Sequence, residues 1–149
     1  MNGKHRRRFV VLHHEVTAAF QRSDQHHFDW MFEQGGEALQ TWSTSPLESF
    51  DDPVILPVLQ LADHRIRYLD YEGPISGDRG VVTRVLTGTF QPTDHKTCEM
   101  ATETHLHVTL QWEVNQAERT AELEIYRNSV PESSRLDDNC DGWFLRFSP

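Results

Sequence analysis

The feature that constrains this chain most is an alternation of residue character with a period of two, clearest in residues 26–33. The aromatic positions of this run are Phe28, Trp30 and Phe32, and the positions between them are His27, Asp29, Met31 and Glu33. Successive side chains of a β-strand point to opposite faces, so this period is typical of a half-buried strand. One face would then belong to an aromatic core, and the other would present an imidazole and a carboxylate side by side.

Similar short runs follow along the chain and are separated by turn residues. Residues 9–12 are apolar and predict a strand, 81–86 predict a further strand, 34–37 predict a hairpin turn, and 104–114 alternate cleanly. Helical spacing is confined to residues 15–25, which predict a turn or two of helix. About eight short strands with little helix predict a mainly β fold, namely a compact antiparallel β-barrel with one or two short helices.

Length and composition favour a single domain. The chain has 149 residues and no internal repeat or linker, so we expect a flexible basic arm at 1–8 and one domain at 9–149. No apolar run reaches membrane-spanning length and the N-terminus lacks a secretory signal, which predicts a cytoplasmic protein without membrane contact. Cys98 and Cys140 are too few for a disulfide framework. The net charge of −9 counts against broad polyanion binding but permits local contact with one phosphate.

Nine histidines are many for this length, but several have an ordinary explanation. His5 and His95 lie in polar, loop-like surroundings, and the short spacing of His95 to Cys98 has no partner pair at a zinc-site interval. His105 and His107 lie two apart on one predicted strand and could place two imidazoles on one metal. Two solvated positions on the outer face of the sheet are the simpler interpretation.

A stronger candidate site consists of His14, His27, Asp29 and His64. His27 and Asp29 share one strand face, His14 ends the preceding strand, and His64 begins a predicted strand with Tyr68 on its face. Two histidines and a carboxylate suit a divalent transition metal with open positions for water and substrate, such as Mn²⁺, Zn²⁺ or Fe²⁺. The alternative is a set of unrelated polar residues on separate strands.

Several segments, taken in order, resemble the 3′-phosphoesterase domain at the N-terminus of bacterial DNA ligase D. Residues 9–14 are similar to the family's Phe-Val-Val-x-x-His, and 27–33 to its His-Tyr-Asp-x-Arg-Leu-Glu. Residues 63–73 resemble Asp-His-Pro-x-x-Tyr-x-x-Phe-Glu-Gly, which is the most specific of these motifs. Residues 80–90 resemble a later Gly-Thr-Val block, and 143–145 resemble a closing Trp-Leu-Leu strand.

The resemblance implies a compact β-barrel whose crater holds a Mn²⁺-type site, with Zn²⁺ as the alternative metal. By position, it implies that His14, Asp29 and His64 are the metal ligands and that His27 and Tyr68 contact or act on the phosphate. Members of this family process DNA or DNA/RNA 3′ ends during DNA repair, removing a terminal ribonucleoside and then a 3′-phosphate. Such chemistry suits a metal beside imidazoles that can move protons.

The chain departs from the family pattern at the positions that would bind phosphate. Met31 and Leu56 stand where the family has arginines, and Leu12 replaces a polar residue. Guanidinium groups bind phosphate with two parallel hydrogen bonds, so these losses put catalysis in doubt. Arg65 and Arg67 are near in sequence, but in a strand over 64–69 they would point away from His64 and Tyr68.

Three further points stay open. The segment between His14 and His27 is longer than in the family, and Arg22 within it could reach the site. A shift of one residue in the alignment would exchange His14 and His27 for His13 and His26. The alternatives to a 3′-end-processing phosphoesterase are a catalytically impaired metal-binding or interaction module of the same fold, and a hydrolase that acts on a smaller or less charged substrate.

Overall fold

The structure, a computed structural model, describes residues 6–16, 26–75, 79–93, 103–127 and 142–149. These residues form ten strands and one short 3₁₀ helix, Ile66–Leu69. The strands are β1 (Arg7–Glu15), β2 (His27–Glu33), β3 (Ala38–Thr44), β4 (Val54–Pro57), β5 (Leu59–Arg65), β6 (Gly73–Pro74), β7 (Val81–Pro92), β8 (Glu103–Val114), β9 (Ala117–Arg127) and β10 (Trp143–Ser148). The predicted helix at 15–25 lies largely outside the described residues.

All ten strands belong to one antiparallel sheet, so the predicted mainly β fold is confirmed. The order is β4-β10-β9-β8-β7-β1-β2-β3-β5, with β6 paired to β7. The sheet is not closed by hydrogen bonds, because β4 and β5 are its two edges. They are nevertheless successive segments of the chain, joined at Val58, whose amide donates to the carbonyl of Trp143 (3.1 Å). The sheet therefore curls so that its two edge strands, which are consecutive in the sequence, come close together.

The concave side of this sheet encloses a large aromatic core. Trp30 is completely buried, packs against Phe50 and Phe147, and donates its indole hydrogen to Thr44 (2.9 Å). The predicted inward residues of 104–114 lie in or against this core. The turn between β8 and β9 uses Asn115 and Gln116, which both adopt a positive φ in the left-handed region.

A second, smaller core covers the opposite face of β1 to β3. Its buried members are Val10, Leu12, Met31, Leu39, Leu69 and Val82, with Tyr68, Tyr71 and Ile75 packed against them. The prediction that β2 is half-buried is therefore wrong, since both of its faces are covered. The cause is the segment after β5, whose 3₁₀ helix folds back over this face and brings Leu69 onto it.

Two local differences from the sequence prediction change which side chains share a face. The strand predicted over 64–69 ends at Arg65, where the 3₁₀ helix begins. Strand β8 has a register shift between Thr104 and Leu106, and His105 lies there, packed edge-on against Trp42 and Trp143. Among the described residues, no helix is long and apolar enough to span a membrane.

Candidate metal centre and substrate cavity

The pairing of β1 with β2 brings the predicted site residues together. In this antiparallel ladder His14 lies opposite His27, and Leu12 lies opposite Asp29. Asp29 is two residues from His27, so its carboxylate projects on the same face as the two imidazoles. The register, which depends on the aromatic alternation of β2, therefore decides that these three polar groups converge.

The three side chains offer ligand atoms at distances that suit a single metal ion. One ligand atom from each of His14, His27 and Asp29 lies within 4.8 Å of the other two. His14 Nδ1 is 3.2 Å from His27 Nε2 and 3.7 Å from Asp29 Oδ2, and His27 Nε2 is 3.1 Å from Asp29 Oδ1. Two nitrogens and one oxygen on one side of a site are a known arrangement for divalent transition metals.

A backbone contact fixes the orientation of His14. Its Nε2 lies 2.8 Å from the carbonyl oxygen of Arg79. Because a carbonyl can only accept, Nε2 carries the hydrogen, and Nδ1 of the neutral ring keeps its lone pair toward His27 and Asp29. Metal-binding histidines commonly donate their second N–H in this way.

Gly80 allows that carbonyl to approach β1. Its φ is +112°, and a Cβ at this position would lie 2.0 Å from the carbonyl oxygen of Glu15. Only a residue without a side chain permits this close contact and this backbone conformation. The block 80–90, noted in the sequence for its resemblance, therefore contributes to the orientation of His14.

The carboxylate of Asp29 is the most buried polar group of the site. Its side chain is 3% exposed, against 17% for His14. Burial has the largest influence on the pKa of Asp29 and raises it, but the neighbouring side chains of His14 and His27 together outweigh burial and lower the pKa below its ordinary value. Its Oδ1 is buried and makes no well-directed hydrogen bond, although His27 Nε2 is 3.1 Å away. A buried oxygen without a hydrogen bond, beside two imidazole nitrogens, fits a metal ion.

Two of the three residues, His14 and Asp29, border a cavity of about 370 Å³, which is within the range of small-molecule sites. The described residues that line it are His14, Asp29, Met31, Ala62, Asp63, His64, Arg65, Arg67, Tyr68, Ile75, Arg79 and Val82. The cavity thus joins the polar end of β1 and β2 to β5 and the 3₁₀ helix. Sequence reasoning expected His64 and Tyr68 beside His14 and Asp29, and the cavity contains all four.

The distances group these residues differently from the roles that the resemblance implies. His27, expected to act on phosphate, belongs to the group with metal-ligand distances, whereas His64, expected as a ligand, lies outside that group on the cavity wall. His64 Nδ1 donates to the carbonyl of Ala62 (2.8 Å), and its ring packs edge-on against Tyr68. His64 therefore has Nε2 left for a substrate or a proton.

The remaining histidine candidates are not brought together with Asp29. His13 packs against Phe28 and His26, away from the group formed by His14 and His27. His105 contacts Gln40, and His107 contacts Glu122, so these two do not form a pair for one metal. His5, His95, Cys98, Cys140 and Arg22 lie outside the described residues.

The positions that depart from the family pattern lie in different surroundings. Met31 lines the cavity and is 1% exposed. Leu56 lies on β4 opposite Leu145 and is not among the residues that line the cavity, and Leu12 is buried in the second core. Met31 is therefore the one of the three departures that borders the site.

Sequence reasoning missed the cations of this wall. Arg65 and Arg67 were expected to point away from the site, but both line the cavity, as does Arg79. For Arg67 the expectation was wrong because it extended a strand through the 3₁₀ helix Ile66–Leu69, whereas Arg65 is the last residue of β5 and lines the cavity from the end of that strand. The positive charge of these residues was the signal in the sequence that could have identified them. The alternation rule for strands was applied to residues that form a 3₁₀ helix, where it does not hold.

No protein-family model and no curated protein matches this chain. The family resemblance and the function that it implies therefore stay predictions.

Proposed function

We propose that this protein is a metal-dependent phosphoesterase that processes the 3′ ends of nucleic acids. The observation that carries the proposal is the group His14, His27 and Asp29 at the edge of a cavity whose wall also presents arginines. A metal site beside cationic side chains suits an anionic ester whose charge must be balanced during reaction. The resemblance to the ligase D phosphoesterase supports the choice of DNA or DNA/RNA 3′ ends.

We assign His14 Nδ1, His27 Nε2 and one oxygen of Asp29 as metal ligands, with Mn²⁺ as the expected ion and Zn²⁺ as the alternative. The donor set and the buried Asp29 Oδ1 without a hydrogen bond support this assignment. A bound divalent ion would supply Lewis-acid polarisation of a phosphoryl oxygen and an acidified water. The carbonyl of Arg79 holds His14 in the tautomer that this role needs.

His64 and Tyr68 act on the substrate in this proposal. With Nδ1–H donated to Ala62, His64 Nε2 can accept or return a proton at a phosphate ester. The Tyr68 ring packs against His64 and also lines the cavity, so its hydroxyl is a second donor for a phosphate oxygen. Tyr68 thus keeps its predicted substrate-facing role, while His64 and His27 exchange the roles that the resemblance implied.

The charge distribution favours a chain end over the body of a duplex. The net charge is −9, so a long phosphate backbone would meet mainly repulsion outside the cavity. Cations on the cavity wall, in contrast, can balance the charge of one terminal phosphate. A 3′-phosphate or a terminal ribonucleoside therefore suits the site in both size and charge.

The test compares His14→Gln with its neighbour His13→Gln. Metal content and release of phosphate from a 3′-phosphorylated oligonucleotide are measured for both variants and the wild type, with Mn²⁺ and with Zn²⁺. We expect the wild type and His13→Gln to bind metal and release phosphate, and His14→Gln to lose both. A wild type that binds Mn²⁺ but leaves 3′-phosphate and 3′-ribonucleotide ends unchanged would overturn the proposal.

A metal-binding interaction module without catalysis is the second candidate. Met31, which is buried at the cavity wall where a cation was expected, favours it. A hydrolase of a smaller, less charged ester is the third and would show turnover only on generic phosphoesters. Adding generic phosphoesters to the substrates of this test separates both candidates from the proposed function.

A further inference from the structure

Arg65 and Arg67 stand out because they line the cavity without a carboxylate partner. Four of the other described arginines, namely Arg8, Arg84, Arg119 and Arg146, have a carboxylate oxygen within 3.6 Å. Within the described part of the chain, Arg65 and Arg67 form no such pair, and neither does Asp63, which lines the same cavity. In an acidic protein, two unpaired guanidinium groups beside a candidate metal centre indicate an anionic ligand.

The change from strand to 3₁₀ helix explains how Arg67 reaches the cavity wall, next to Arg65 at the end of β5. In a strand, neighbours alternate between two faces, so Arg67 and Tyr68 would be on opposite sides. A 3₁₀ helix has three residues per turn, which rotates each side chain by about a third of a turn from the last. Beginning the helix at Ile66 thus places Arg67 on the same wall as His64 and Tyr68.

Arg67 is also held in place by aromatic rings. Its Cζ lies 5.4 Å from the ring centroid of Tyr68 and 5.0 Å from that of Tyr71. The two rings contact each other edge-on, both pack against the second core, and Tyr71 donates its hydroxyl hydrogen to the carbonyl of Pro74. A guanidinium oriented by cation–π contacts loses less freedom when it binds a ligand.

We propose that Arg65 and Arg67 bind the terminal phosphate of the substrate and determine the preference for a 3′-phosphorylated end over a 3′-hydroxyl end. A guanidinium presents paired N–H donors that match two phosphate oxygens, and two such groups suit a dianionic monoester better than a diester. Arg67 provides the oriented contact, and Arg65, at the end of β5, provides the second charge. The proposal takes its substrate from the proposed function, but the binding step is independent of turnover.

The experiment measures the affinity of Arg65→Gln, Arg67→Gln and the wild type for matched oligonucleotides that end in 3′-phosphate or 3′-hydroxyl. Arg119→Gln is the matched control, since Arg119 is exposed, pairs with Asp51 and does not line the cavity. Each cavity variant should weaken binding of the 3′-phosphate end by about tenfold or more and leave the 3′-hydroxyl end within about twofold, as expected for a lost charged hydrogen bond. Arg119→Gln should behave as the wild type does.

Metal content and thermal unfolding are recorded for every variant, and KM and kcat for any that turn over. Arg67→Lys keeps the charge without the paired donors and should restore only part of the affinity. If the wild type hydrolyses 3′-phosphate and both Gln variants keep its affinity and KM, the phosphate-binding proposal is wrong while the proposed function stands. If the wild type never hydrolyses but binds 3′-phosphate ends through Arg67, the proposed function fails and the binding proposal stands.

Discussion

The two faces of β2 are both buried, yet they differ in nearly every other respect. On one face Phe28, Trp30 and Phe32 belong to a large aromatic core, and the indole of Trp30 has a hydrogen-bond partner. On the other face Met31 packs in a small core, and Asp29 is buried with an oxygen that makes no well-directed hydrogen bond. The aromatic face is built for stability, and the polar face retains an unsatisfied group that a ligand could satisfy.

The largest expected effect comes from emptying the aromatic face. Trp30→Ala should lower the free energy of unfolding by about 3–5 kcal/mol, because a fully buried ring is lost and a cavity remains. Urea denaturation of the metal-free protein measures this loss. A loss smaller than about 1 kcal/mol would mean that this face does not supply the main core.

On the polar face, Asp29→Asn should separate function from stability. The shape is kept while the anionic ligand is removed, so metal affinity and phosphate release should fall by about a hundredfold or more, at least the loss known for outer-shell partners. The free energy of unfolding without metal should change by no more than about 1–3 kcal/mol, the range for one buried polar partner. Titration with Mn²⁺ and denaturation measure the two quantities. Unchanged metal affinity would contradict the difference between the faces.

An intermediate effect is expected at Gly80, which lets the Arg79 carbonyl reach His14. Gly80→Ala should strain the backbone by about 1–3 kcal/mol and weaken metal binding by about tenfold, since the His14 ring loses its fixed orientation. Gly36→Ala is the matched control, because a Cβ there meets nothing within 4 Å. If both variants keep wild-type metal affinity, the carbonyl of Arg79 does not position His14.

The smallest effect concerns Asp70, an exposed carboxylate just after the 3₁₀ helix. The hydrogen bond from Arg8 lowers the pKa of Asp70 below its ordinary value. A lowered folded-state pKa stabilises the protein above the unfolded pKa, and this stabilisation is lost as the pH falls through the folded value. Asp70→Asn should therefore be slightly less stable than the wild type near neutral pH and equal to it in acid and in high salt. A difference that persists in acid would exclude the ion pair as its cause.

The part of the site on β1 and β2 could be predicted because it depends on local patterns. Alternation in β2 placed His27 and Asp29 on one face, and the hairpin-like pairing of β1 with β2 brought His14 opposite His27. The mainly antiparallel β fold followed from the same period of two. These features need only the properties of neighbouring residues and one strand register.

The other wall could not be predicted because it depends on segments distant in sequence. The 3₁₀ helix interrupts an alternating pattern, so Arg67 moved to the side where sequence reasoning had placed only His64 and Tyr68. The second core could not be foreseen either, since its cover comes from Leu69 folding back over Met31. The period of the hydrophobic pattern predicts which residues share a face of a strand or helix. It does not predict which other segment of the chain covers that face.

The central proposal is that His14, His27 and Asp29, and not His64, hold the metal. Titration of Mn²⁺ into His27→Ala and His64→Ala, beside the wild type, tests it most directly. We predict that His64→Ala binds Mn²⁺ with the affinity of the wild type, and that His27→Ala loses about a hundredfold or more, at least as much as removal of an outer-shell partner. The reverse result, with binding lost in His64→Ala and kept in His27→Ala, would contradict the account.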